Sequence, residues 1–407
     1  MLSTTLLFMC AVPQAALAEG GTHAANGTNP VLIRSEGERT LLGVPRGRFL
    51  GRPIVVDDVD GDGYGELLLP VGESSSGARG SLRLLSGRTF EPLVRVGGEA
   101  HFSLDHEAGQ ILVLAMRRPR AGSLELRTRL GSRPRWRRDF LESPIGPLHR
   151  ARFAGDANRD GHADVVATNA WAFDPHGLMT GAVALLSGED GRALWTRFGW
   201  EDGEGYGFDV AKAGDHDQDG VADVAVLAMT VNGRGGPDHI AILSGTDGAP
   251  LLELDLPGEC RRSFELEGLG DLDGDGLGEW LLYRSRDSAI VLSTLSRAPL
   301  DLLGPDWSLL WAASGGDLDG DGADDLVLGR VDPATGEGRI SLWSRGALLD
   351  VGFPDQRDPA SVPDWTAERG WIGHVDPGRR WSLVLFRERR EIDYRSEVIV
   401  VPGPVAR

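Results

Sequence analysis

Nine residues, Asp271-Leu272-Asp273-Gly274-Asp275-Gly276-Leu277-Gly278-Glu279, place acidic side chains at positions 1, 3, 5 and 9 of a short segment with glycine at position 6. Such spacing collects oxygens around a hard cation. Ca²⁺ takes about six to eight oxygen ligands at ~2.3–2.6 Å, and the glycine permits the sharp turn that wraps them. Four further segments repeat the pattern: Asp58, Asp60, Asp62 and Glu66; Asp156, Asn158, Asp160 and Asp164; Asp215, Asp217, Asp219 and Asp223; Asp317, Asp319, Asp321 and Asp325. Position 7, held by Tyr64, His162, Val221, Leu277 and Ala323, supplies a backbone carbonyl whatever its side chain. His216, at position 2, is expected to point away. Five bound calcium ions of structural role are expected.

The elements that carry these segments are strands. An EF-hand would need a bidentate Glu at position 12 and a following helix. Here position 12 is Leu69, Ala167, Val226, Leu282 or Leu328, so each shell closes at position 9. Short apolar runs follow, among them Leu67-Leu68-Leu69, Val165-Val166-Ala167 and Leu326-Val327-Leu328. Runs of that length between glycine-rich turns read as buried strands. Each loop therefore joins two strands.

These loops resemble those of the FG-GAP/VCBS repeat family, the blades of integrin-α-type β-propellers, whose Gly-Asp-x-Asp/Asn-x-Asp-Gly-x-x-Asp loops link the first two strands of a blade. Gly155, Gly214, Gly270 and Gly316 occupy the leading glycine, Asp57 takes its place in the first copy, and Tyr206-Gly207 stands near the family's Phe-Gly. The resemblance implies an extracellular, calcium-stabilised module that binds protein or carbohydrate in adhesion. Some polysaccharide lyases resemble the same design, so an extracellular lyase or hydrolase is the alternative.

Composition narrows the classes. The net charge of −19 argues against a nucleic-acid partner. The five loops hold 19 ligand-position carboxylates, equal to the whole excess, so the charge has a local source that bound cations would relieve. Residues 1–18 combine an apolar core, Leu6 to Val12, with Ala16-Leu17-Ala18, and read as a secretory signal peptide. Residues 19–30 read as a flexible lead, and the place is secreted or periplasmic. No later stretch approaches the ~20 apolar residues of a membrane span. After cleavage Cys260 alone remains, so calcium rather than a disulfide would staple the fold.

One repeat unit runs strand, calcium loop, strand, connection, strand, Ser-Gly turn, strand; Ser86-Gly87, Ser187-Gly188 and Ser244-Gly245 mark the turns. Four antiparallel strands per unit make a propeller blade. Two units have lost the ligand pattern, one at 101–110 and one before Leu383-Val384-Leu385. The expected fold is thus all-β, one seven-bladed propeller over 31–407 with calcium loops between strands 1 and 2, and a monomer. The last unit lacks a fourth strand, and residues 31–44 are expected to supply it.

No His-Glu-x-x-His, Cys/His metal spacing or Gly-x-Ser-x-Gly elbow is present, so no catalytic residue is assigned. The long connections 170–181 and 196–207 should lie on the face opposite the calcium loops. They carry Trp171, Phe173, His176, Trp200 and Tyr206, the candidate ligand face. Plugging the channel or covering a blade edge would serve these aromatics equally well.

Overall fold

The computed structural model describes residues 31–35, 38–42, 54–72, 80–99, 101–107, 109–118, 121–231, 235–258, 260–261, 263, 265–272, 277–285, 288–303, 306–314, 325–332, 334, 338–344, 347–350, 369–373, 382–389 and 395–402. The leader, the flexible lead and the segment 374–381 lie outside them, as do the middle of the fourth loop (273–276) and nearly all of the fifth (317–324).

Within this range the chain is built almost wholly of strands. After a hairpin, β1 (Val31–Ser35) and β2 (Glu38–Leu42), come β3 (Ile54–Val56), β4 (Glu66–Gly72), β5 (Gly80–Leu85) and β6 (Pro92–Glu99). The second sheet holds β7 (His101–Glu107), β8 (Gln110–Arg118), β9 (Ala121–Arg127) and β10 (Trp136–Asp139). The third holds β11 (Arg150–Gly155), β12 (Asp164–Asn169), β13 (Ala182–Leu186) and β14 (Ala193–Phe198). Next are β15 (Tyr206–Lys212), β16 (Val224–Ala228), β17 (His239–Leu243) and β18 (Pro250–Asp255). The fifth sheet is β19 (Glu265–Gly268), β20 (Trp280–Ser285) and β21 (Ser288–Leu292); the sixth is β22 (Ser308–Ser314), β23 (Leu326–Val331), β24 (Gly338–Ser344) and β25 (Ala347–Asp350). Last come β26 (Arg369–Gly373), β27 (Ser382–Arg389) and β28 (Arg395–Pro402).

Six of the seven sheets are antiparallel meanders in chain order, the seventh joining β2 to β28, and first strands touch in succession, β3 on β7, β7 on β11, β11 on β15, β15 on β19 and β22 on β26, with β21 meeting β22. This is a β-propeller. Adjacent sheets bury their facing sides in separate apolar clusters: Leu114, Leu126, Phe153 and Ala167 fill one interface, while Val166, Leu185, Val210 and Val226 fill the next. A blade in the interior of such a stack is covered on both faces. Its middle strands β12, β13, β16 and β17 are therefore buried at every residue, and their centres, such as 165–167 and 240–243, run apolar without alternation.

Three sheets depart from the expected unit. In the second, 101–107 is no degraded loop but the strand β7, with Glu107 paired to Gln110. In the fifth, among the described residues, only the isolated Leu292–Pro299 bridge and Leu300 N–H donating to Val291 O (2.8 Å) stand where a fourth strand would run. Pro299 has no N–H to extend that ladder. In the last, β2 pairs with β28 in the register Arg39–Val400 to Leu42–Glu397, and β1 pairs with β2, so the sheet has five strands rather than four.

Candidate metal loops and ligand face

Three loops are described in full, and they fold alike. The position-1 carboxylate accepts from the backbone of positions 4 to 6: Gly61 and Gly63 N–H on Asp58 (2.7 and 2.8 Å), Asp160 and Gly161 on Asp156 (2.9 and 2.8 Å), Asp219 and Gly220 on Asp215 (3.1 and 2.9 Å). Position 3 accepts from position 5, and position 5 from position 7, as in Asp62 Oδ1 with Tyr64 N–H at 2.9 Å. These Asx turns wind the segment so that side-chain oxygens face inward. Position 6 is left-handed in all three (Gly63 φ 87°, Gly161 φ 87°, Gly220 φ 84°), which is why it is glycine. Arg159 and Gln218 at position 4 also adopt φ 60°, a strained conformation for a side-chain-bearing residue.

Position 9 is fully buried in every copy: Glu66, Asp164, Asp223, Glu279 and Asp325 have no exposed surface. Its carboxylate accepts from the position-2 N–H, from Val59 (2.6 Å), Ala157 (2.9 Å), His216 (2.6 Å) and Leu272 (2.6 Å) respectively in the first four. In the second and third loops the other oxygen reaches the Ser-Gly turn of the same blade: Gly188 N–H donates to Asp164 Oδ1 (2.8 Å) and Gly245 N–H to Asp223 Oδ1 (3.0 Å). In the first loop Glu66 Oε1 is buried and has no hydrogen-bond partner.

The residues present fit a cation in the first loop and the third. Asp58, Asp60, Asp62 and Glu66 each bring one oxygen within 4.8 Å of the others, about twice a Ca–O distance, as do Asp215, Asp217 and Asp223. An ion there would satisfy the stranded Glu66 oxygen. The second loop is tighter on itself, with Asn158 Nδ2 donating to Asp160 Oδ2 at 2.8 Å, and its carboxylates form no such group.

Burial is the main cause that lifts the Glu66 carboxyl to about 7, opposed by the Val59 N–H and reinforced by Asp60, Asp58 and Asp62. Burial likewise raises Asp164 and Asp223, whereas the Thr246 hydroxyl on Asp219 Oδ2 (2.6 Å) lowers Asp219. At position 7 the His162 ring faces Arg135 (3.1 and 2.9 Å) and leaves only its carbonyl to the loop. His216 does not point away: its Nδ1 lies 3.9 Å from Asp223 Oδ2.

A repeated joint between blades escaped the sequence reading. Trp136 Nε1 donates to Gly188 O (3.0 Å) and Trp195 Nε1 to Gly245 O (2.9 Å), each reaching the Ser-Gly turn of the next blade. Two residues on, Arg138 donates to the Gly191 and Asp190 carbonyls (3.1 and 2.9 Å), and Arg197 to those of Gly248 and Asp247 (2.8 and 2.7 Å). The indole lies on Gly191 or Gly248, where a Cβ would come within 2.8 Å of the ring. At the same left-handed turn position, sheets one and five carry Phe90 (φ 58°) and Arg297 (φ 54°) instead. The outer strand before the Arg297 turn, β18, offers Leu252 where its predecessor has Trp195. The recurring Trp-x-Arg and Ser-Gly-x-Asp-Gly strings were the signal that could have revealed this joint.

On the opposite face, the connections 170–181 and 199–205 are knit together. Gly203 N–H donates to Met179 O (2.9 Å), Tyr206 N–H to Thr180 O (3.0 Å), Gly199 N–H to Gly181 O (3.1 Å), and Met179 N–H to Asp202 Oδ1 (3.1 Å). From this scaffold Trp171 (47 % exposed), Phe173 (64 %), Leu178 (43 %) and Trp200 (56 %) stand out into solvent, with His176 exposed beside them. Trp171 is braced edge-on by His149 at 5.0 Å and Phe208 at 6.3 Å. Tyr206 is a correction. It is wholly buried as the first residue of β15 and meets Trp200 edge-on at 5.3 Å, so it supports the face without belonging to it. Leu178 joins this face although the sequence pattern does not single it out. No helix among the described residues is long and apolar enough to cross a membrane.

No family model matches the sequence. Among solved structures, the crystal structure of BBS1N in complex with ARL6DN, soaked with mercury, is similar over 93% of this chain and 99% of that chain, at a TM-score of 0.53 and 10% identity. Its lead-soaked counterpart is similar over 88% and 94%, at 0.50 and 9%. The Dos1 propeller covers 93% and 95% at a TM-score of 0.46 and 9% identity. At such identities the likeness is one of fold.

Proposed function

We propose that the protein is a secreted, calcium-stabilised binding module of the FG-GAP type, a ring of seven blades that receives a protein or carbohydrate ligand on the face opposite its metal loops. The observation that carries the reading is the set of solvent-facing apolar side chains, Trp171, Phe173, Leu178 and Trp200, on loops fixed by main-chain hydrogen bonds. Exposed aromatics on a rigid scaffold lose little conformational entropy when a ligand covers them. A channel plug or a cover for a blade edge would bury these rings, whereas about half of each lies open. BBS1N was itself crystallised with a protein partner, ARL6DN, so a chain of this fold can serve as a binding platform.

Five calcium sites, one per intact loop, make the opposite face rigid, the second forming once metal displaces the Asn158–Asp160 hydrogen bond, and the ring closes where the last sheet meets the first. The leader directs export, with Glu19 as the first mature residue. Probing glycan and protein arrays with the calcium-loaded chain tests the binding role. A ligand whose signal falls about tenfold or more in Trp171→Ala/Trp200→Ala supports this face, each aromatic anchor contributing on the order of 1–2 kcal/mol. A ligand bound equally well by the double variant places recognition elsewhere. Turnover of an arrayed polysaccharide would establish the enzyme alternative instead.

A further inference from the structure

His239 opens β17 at the edge of the ligand face, with its ring nearly buried. Its Nδ1 lies 3.1 Å from Pro237 O, and its Nε2 lies 3.4 Å from Glu204 Oε1 and 3.7 Å from Glu253 Oε1. A neutral imidazole carries one N–H and one lone pair. With the proton on Nδ1, the Nε2 lone pair faces two carboxylates; with the proton on Nε2, the Nδ1 lone pair faces a carbonyl. Only the imidazolium suits both sides. Its partner Glu204 is buried too (5 %), and no hydrogen bond reaches its Oε1, so without a cation at His239 this oxygen would be stranded.

The other oxygen of Glu204 organises the loop that presents Trp200. Glu204 Oε2 accepts from Trp200 N–H (2.5 Å) and Glu201 N–H (2.9 Å), and the same turn receives Val231 N–H on Gly203 O (2.8 Å). One carboxylate thus joins the imidazole to the backbone of the exposed tryptophan. We propose that Glu204 and His239 form a pH-dependent latch on the ligand face, holding the 199–205 loop while His239 is charged and loosening it when His239 loses its proton.

The surrounding charges favour that reading. Glu204 faces His239 from the loop and Glu253, 59 % exposed, from β18, while Asp238 precedes it with its carboxylate turned to Thr230 N–H (2.9 Å). From β15 comes the Tyr206 hydroxyl, buried and with no hydrogen bond; Arg197 on β14 is the cation that acts on that tyrosine. Burial opposes the charge on His239, but Glu204, the Pro237 carbonyl and Glu253 together outweigh it and lift the pKa above the ordinary 6.5. A raised folded-state pKa means that the latch is fully closed below the ordinary histidine value and opens as pH rises through the folded one. The latch regulates the face assigned above and uses that assignment only for its purpose.

The test needs no ligand, so it stands or falls separately from the binding role. Amide hydrogen exchange at Trp200 and Glu201, expressed as protection relative to the free chain, is followed from about pH 5.5 to about pH 9 in the calcium-loaded protein. Protection should fall about tenfold or more with a single midpoint above that of free histidine. In Glu253→Gln, which removes an exposed anion and leaves the buried pair intact, the midpoint should move to lower pH. His239→Gln should show low protection throughout; if that variant fails to fold, the Glu253→Gln shift decides. Protection that stays level with pH in the native chain, or an unmoved midpoint in Glu253→Gln, would overturn the latch.

Discussion

Asp164 and Glu66 at position 9 do different work, although the repeat pattern treats them as equivalents. The shorter Asp164 uses both oxygens on backbone donors, Ala157 N–H and Gly188 N–H, and so ties the loop to its own Ser-Gly turn. Glu66, one methylene longer, is held by Val59 N–H through one oxygen and aims the other at Asp58, Asp60 and Asp62. Glu66→Gln keeps an acceptor for Val59 and removes the charge. Metal analysis after calcium dialysis should therefore show one ion fewer, with no loss of melting temperature in the metal-free protein. Asp164→Asn turns an amide donor toward backbone donors, so it should cost about 1–3 kcal/mol even without metal, measurable by urea unfolding in EGTA. Equal behaviour of the two variants would show that the position has a single role.

At two junctions neighbouring blades are joined by a Trp-x-Arg strand end that docks on a Ser-Gly-x-Asp-Gly turn, and the fit is reciprocal. Trp195 lies on Gly248, whose φ of 72° and 2.8 Å Cβ clearance to the indole exclude a side chain. Trp195→Ala should cost about 3–5 kcal/mol, as large-to-small changes at buried aromatics do. Gly248→Ala should also destabilise, by about 1–3 kcal/mol from backbone strain and the indole clash. In the Trp195→Ala background the clash disappears and only the strain remains. A double-mutant cycle by chemical denaturation should accordingly show the two costs to be less than additive; strict additivity would mean that the ring and the glycine do not interact.

Across the whole molecule, repulsion within the acidic loops opposes folding while calcium is absent. A site held at a hundredfold above its Kd contributes about 2.7 kcal/mol, so EGTA should lower the melting temperature steeply in a calorimetric scan. The same scan locates a second requirement. β2 covers the edge of β28, and deleting residues 19–42 would leave that edge's N–H and C=O groups unpaired. The truncated chain should lose its cooperative transition and aggregate, a larger effect than trimming a frayed end. An unchanged melting curve would show that the sheet stands on β26, β27 and β28 alone.

The sequence by itself determined the repeat, the all-β class and the loop design, because each is written in local spacing. Alternate carboxylates with glycine at position 6 specify one set of Asx turns, and the uninterrupted apolar runs after them follow from strands buried on both faces. Contacts between distant residues were beyond its reach. That Tyr206 is buried while Trp200 is open depends on the bulge-bearing start of β15 and on the 170–181 loop laid across it. That His216 turns toward Asp223, that 101–107 is a strand, and that Pro299 ends a sheet early are settled by which neighbour each backbone meets. The Trp-x-Arg joint and the Glu204–His239 pair link residues that lie tens of positions apart along the chain. Only the stacking of one blade on the next brings their donors and acceptors together, and desolvation there decides which pairs can stay charged.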